Sequence, residues 1–166
     1  MKKRDFDIAF RGLALGQHEF QYDLDDTFFT LFEYSDYRGL RGTAELVMLK
    51  SETVLDLELR FTGTIEVPCD ITNELYTQSL ENSFAMQIKF GDEYNDENEE
   101  LLILPHGNYE FNAGQMIYEL VVLSIPSKLL GPNAGNGIED LIEEEEDETV
   151  EKTDPRWDQL KNLLNK

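Results

Sequence analysis

From Gly42 to Phe90 apolar and polar residues alternate with a period of two, and one proline interrupts the pattern. A helix cannot present such a pattern as one apolar face, whereas a half-buried strand requires it. Ala44, Leu46 and Met48 mark one face of a first strand, with Ser51-Glu52 as the turn after it. Leu55, Leu57, Leu59 and Phe61 mark the next, which continues through Ile65 and Val67. Gly63 interrupts this long run at a position where a bulge can bend it. Pro68 removes a ladder donor and fixes φ, so the strand is expected to end there and turn through Cys69-Asp70-Ile71-Thr72-Asn73. Beyond the turn, 75–80 and 84–90 read as two paired strands joined at Glu81-Asn82-Ser83. The expected result is an antiparallel meander forming a curved sheet or partial barrel.

The flanks add helices and breaks. Phe6, Ile8 and Phe10 alternate as a short strand, and His18 to Leu24 as another. Asp25-Asp26-Thr27 either caps a short helix bearing Phe28, Phe29 and Phe32 or opens a loop pinned by those rings. Tyr37 to Gly42 reads as a turn-rich, locally basic break; Arg38 and Arg41 there are a conceivable anion contact or simply a solvated loop. Asp92 to Glu100 lacks the ligand spacing and central glycine of an EF-hand and reads as an acidic connector. Leu101 to Pro105 is a short apolar strand. Asn112 is placed to cap a helix whose Met116, Ile117, Leu120, Val121 and Leu123 form one broad apolar face. Gly131 to Gly137 is no phosphate loop, since no Gly-Lys-Ser/Thr follows. Glu139 to Glu151 is a run of acids that repel one another. Asp154-Pro155 is a helix start signal, and Trp157, Leu160 and Leu164 then share a face. The fold class is α+β, with a β-rich core at 1–130 covered by one helix, a flexible linker at 131–153 and a tethered terminal helix at 154–166.

Charge limits the partners. The formal net charge is −21, from 35 acidic and 14 basic residues among 166. Such a surface repels nucleic-acid phosphates and anionic lipid and attracts basic proteins, which argues against DNA and membrane partners. No run approaches the ~20 apolar residues of a membrane span. A single cysteine, Cys69, excludes an internal disulfide framework and fits a reducing compartment. A soluble cytoplasmic protein is the expectation. Cys69 has only His18 and His106 as conceivable partners, both remote in sequence, and no pair of acids stands out as a general acid and base. Neither a metal nor another cofactor is expected, and no enzyme.

Three stretches share a resemblance. Val67-Pro68-Cys69-Asp70-Ile71-Thr72 resembles the Pro-Cys-Asp-Arg-Cys element of the YceD family, also called the DUF177 family. Asp154-Pro155-Arg156-Trp157, followed by Leu160-Lys161 and Leu163, resembles its Asp-Pro-Arg-Trp…Leu-Lys…Leu terminus. Tyr118 to Pro126 resembles its helix ending in a proline-stopped apolar run, and order and spacing agree. Ile71 and Thr72 stand where the family often has arginine and a second cysteine, so a Cys-x-x-Cys zinc or redox site is not expected. The resemblance implies a role in large ribosomal subunit assembly through accumulation of its RNA. A non-enzymatic factor binding a basic ribosomal protein or large-subunit assembly factor is the expectation, with rRNA reached indirectly. Direct binding of precursor rRNA is the alternative and an uncharacterised enzyme the second. On this reading Asp154, Pro155, Arg156, Trp157, Leu160, Lys161 and Leu164 contact the partner, Pro68, Cys69 and Asp70 are structural, and Arg38 and Arg41 are the RNA contacts of the alternative.

Overall fold

In a computed structural model, residues 1–98 and 100–135 are described. The centre is a six-stranded sheet of β2 (Gly16–Asp25), β3 (Arg38–Lys50), β4 (Val54–Pro68), β5 (Leu75–Gly91), β6 (Asn95–Asn98) and β7 (Leu101–Pro105). Its order is β2-β3-β4-β5-β7-β6. The sheet is open rather than a closed barrel. A two-stranded pair, β1 (Asp7–Ile8) with β8 (Phe111–Asn112), lies apart from it. Helix α1 (Asp26–Leu31) follows β2, and α2 (Gly114–Leu123) packs across β4 and β5. The α+β class holds, but the meander ends at β5, because β7 pairs with β5 in parallel.

The alternation seen in sequence becomes burial. On β4 the odd positions Leu55, Leu57, Leu59, Phe61, Ile65 and Val67 are all buried. The ladder between β4 and β5 runs without a slip from Val54↔Lys89 to Pro68↔Leu75. Glu81-Asn82-Ser83 is therefore no turn: β5 is one strand of 17 residues. The reason is parity. Leu80, Met86 and Ile88 are buried, Asn82 and Phe84 half-buried, and all face one side. A fifteen-residue neighbour, β4, supplies ladder partners along the whole length. Asn82 meets the core side with its amide, donating to the Leu120 carbonyl at 3.4 Å.

Other expectations shift for equally local reasons. Gly63 is not bulged; it pairs with Gly42 and Leu80, and the irregularity lies between Arg38 and Arg41 of β3. A side chain at Gly42 would put Cβ 2.6 Å from the Phe61 ring and 2.8 Å from the Gly63 Cα, so the two glycines make room for Phe61. Tyr37 to Gly42 is not a break, since β3 begins at Arg38 and Leu40 is buried. The first strand shrinks to two residues between turns of 3-10 helix at Lys3–Phe6 and Phe10–Gly12. Phe6, Ile8 and Phe10 are still buried, and their mate β8 is only two residues long. Part of the acidic connector is the edge strand β6. Asp25 caps α1, its carboxylate accepting from the Thr27 N–H at 2.9 Å, and Phe28 and Phe29 reach the core. Asn112 serves α2 from one residue before its cap, accepting from the Gly114 N–H at 2.9 Å.

Candidate functional site

The corner after Pro68 is tied by several hydrogen bonds. Asn73 takes a left-handed φ of 56°, which asparagine tolerates, and its N–H donates to the Cys69 carbonyl at 2.9 Å. The Cys69 N–H donates to the Glu74 carbonyl at 2.9 Å, which closes the turn into β5. Asp70 then reaches across the chain. Its N–H donates to the Leu129 carbonyl at 2.7 Å, and its carboxylate Oδ2 accepts from the Leu129 N–H at 2.8 Å. This reciprocal pair fixes the chain leaving α2 against the sheet corner. Asn133 adds a bond to the Glu74 carboxylate at 3.1 Å, and Gly131 lies against the Tyr76 ring and Cys69. Leu129 and Ala134 are buried.

Cys69 is 3% exposed. Hydrogen bonds from the Thr72 backbone and hydroxyl, then from the Gly131 and Ile71 backbones, draw its pKa down to about 7. Donors converging on one atom stabilise its charged form, the third of the ordinary causes of such shifts. Burial, and the charges of Cys69 and Asp70, push the neighbouring Tyr76 hydroxyl upward. Neither histidine takes part: His18, on β2, bonds the Ala14 carbonyl just before that strand, and His106 follows β7. Among the described residues no group of three His, Cys, Asp or Glu is placed to hold a metal ion. The corner is a pinned thiol beside a chain clamp.

A second feature was not visible in the sequence. Between α2 and the outer strands runs an open groove of about 910 Å³. Phe84, Met86, Leu102 and Leu104 line the sheet side, Met116 and Leu123 the helix side, and Asp96, Glu110 and Glu119 bring carboxylates to it. Among the described residues no lysine, arginine or histidine lines it. Finding it requires knowing that β7 lies beside β5, a long-range fact. The only sequence signal was the broad apolar face of α2.

Arg38 and Arg41 lie exposed at the irregular start of β3. Arg38 is opposite Glu66 on β4, and Arg41 is opposite Asp25 on β2, so each guanidinium has an acidic cross-strand neighbour. They lie on strand β3 and take no part in the bonds of the Cys69 corner. Asp154, Pro155, Arg156, Trp157, Leu160, Lys161 and Leu164 lie outside the described residues, as does the acidic run at 139–151. Among the described residues no helix is long and apolar enough to cross a membrane.

No curated protein and no solved structure matches the chain. A family model does, over residues 57–164: YceD, described as large ribosomal RNA subunit accumulation protein. The match begins in β4, takes in the Cys69 corner, the groove and α2, and continues through the segment bearing Trp157. Covering about two thirds of the sequence in one span, it shows that the chain belongs to the YceD family of large ribosomal RNA subunit accumulation proteins.

Proposed function

We propose that this chain supports accumulation of large-subunit rRNA without catalysis, as an acidic adaptor that holds a basic ribosomal protein or large-subunit assembly factor. The supporting observation is charge that the fold leaves uncompensated. The full chain has a formal net charge of −21, and among its described residues there is a single salt bridge, Arg60 to Glu58 at 3.5 Å, both largely exposed. The described carboxylates are thus largely without cationic partners, and their summed field extends into solvent. That field opposes approach of phosphate and accelerates encounter with a basic protein surface. The acids opposite Arg38 and Arg41 weaken the one local patch that direct RNA binding would use. Residues 154–166 supply the apolar contact, through Trp157, Leu160 and Leu164, in the manner of an amphipathic helix in a partner's groove.

Affinity capture of the full chain from growing cells, with and without ribonuclease, tests this. Large-subunit proteins should stay bound after RNA is digested. Trp157→Ala with Leu160→Ala should abolish the complex, and replacing the glutamates of 139–151 by glutamine should slow its formation at low salt much more than at high salt. Salt-sensitive binding of naked precursor rRNA, with no affinity for purified ribosomal proteins, would overturn the reading.

A further inference from the structure

Helix α2 carries more apolar surface than the sheet beneath it covers. Ile117, Leu120 and Val121 enter the core, whereas Met116 is half-buried and Leu123 is 77% exposed, both on the groove wall. Contiguous apolar surface rimmed by charge marks a binding face rather than an idle one. We propose that in the free protein this groove holds the chain's own residues 154–166. Trp157, Leu160 and Leu164 would lie along its apolar floor, with Arg156 and Lys161 toward Asp96, Glu110 and Glu119.

Reach permits it. The helix wall ends at Leu123, and six residues later Leu129 is fixed to Asp70. Six residues span at most about 22 Å, so the near end of the groove lies within that distance of the clamp. The 22 residues from Gly135 to Trp157 can span at most about 75 Å, more than the distance from the clamp to the near end of the groove. Tethering on that scale gives an effective concentration of the order of 1 mM. A segment that bound the groove with a Kd of only about 0.1 mM would then occupy it roughly tenfold more often than not.

Charge selects the occupant. The segment has three basic residues, Arg156, Lys161 and Lys166, against two acidic ones, in a chain that is otherwise strongly acidic. Among the described residues the groove is lined by three carboxylates and no cation. A second copy would have to bring its own large negative charge to the same face, a penalty the tethered segment avoids. Docking would also withhold Trp157 from a partner until the partner displaced it. The docking itself does not depend on the partner's identity.

Trp157 is the sole tryptophan, so its fluorescence reports on the segment directly. In the full chain its emission should be blue-shifted and its acrylamide quenching weaker than in a peptide of residues 154–166. Leu123→Asp, at a position already exposed, should return both toward the peptide values, as should Arg156→Glu with Lys161→Glu. Leu123 is already 77% exposed, and thermal melting of the sheet should be retained. Peptide-like emission in the unaltered chain, or a blue shift that neither variant moves, would overturn the proposal. So would a blue shift that disappears on dilution, which would place the segment on a second copy.

Discussion

Four hydrogen bonds converge on the Cys69 sulfur, from the Thr72 backbone and hydroxyl and from the Gly131 and Ile71 backbones, and this has a consequence in pH. A free thiol titrates near 8.5, whereas this one is drawn to about 7 in the folded chain. Between those values the folded protein has released the proton and the unfolded chain has kept it. Stability from this site therefore grows as pH rises through the window and is lost as pH falls through about 7. Compared with Cys69→Ser, the unaltered protein should gain melting temperature from pH 6 to pH 9; a difference that stays flat would mean the thiolate is not favoured. The motif was readable in sequence as a turn with a thiol. Its tie to Leu129 was not, because two residues 59 apart met only once the sheet and α2 were in place.

Strand β5 shows which part of the fold the residue pattern carried and which it did not. Alternation identified β3 from Thr43 onward, β4 and both halves of β5, and cap chemistry placed α2 within a residue or two while leaving α1 open between a helix and a loop. The polar triplet Glu81-Asn82-Ser83 suggested a turn because local propensity cannot see a long neighbouring strand. What decided the matter was parity: Leu80, Phe84, Met86 and Ile88 keep one face across the triplet. One residue inserted after Asn82 would send Phe84, Met86 and Ile88 to the solvent side while Leu80 stayed inside. A turn would absorb such an insertion. This strand should not, and the loss should exceed the 0.5–3 kcal/mol of ordinary substitutions, leaving no cooperative thermal transition. Retained melting within about 1 kcal/mol of the parent would mean that the ladder can slip there. The parallel β5–β7 pair and the edge strand β6 were illegible for a different reason. Strand direction is set by how the chain returns, and β6, Asn-Asp-Glu-Asn, carries no apolar alternation at all.

At the scale of the molecule, charge and topology act together. With a formal net charge of −21 and one ion pair among the described residues, the folded chain works against its own repulsion. Raising ionic strength from about 0.01 M to 0.15 M shortens the screening length from about 30 Å to about 8 Å. Melting temperature should rise over that range, as read by circular dichroism, and a fall would show that attractive pairs dominate instead. The clamp between Asp70 and Leu129 also sets an order in time. During synthesis at about 5–20 residues per second, Leu129 is added roughly 2–8 s after Gly91 completes β5. The β4–β5 hairpin can close in far less than that, since hairpins form in about 1–10 μs. For those seconds the corner stands without Leu129 and Gly131, and Cys69 lacks one of its hydrogen bonds and part of its cover. The nascent chain thus carries an accessible thiol that the finished one encloses, which gives thiol-reactive reagents a window on how far translation has advanced.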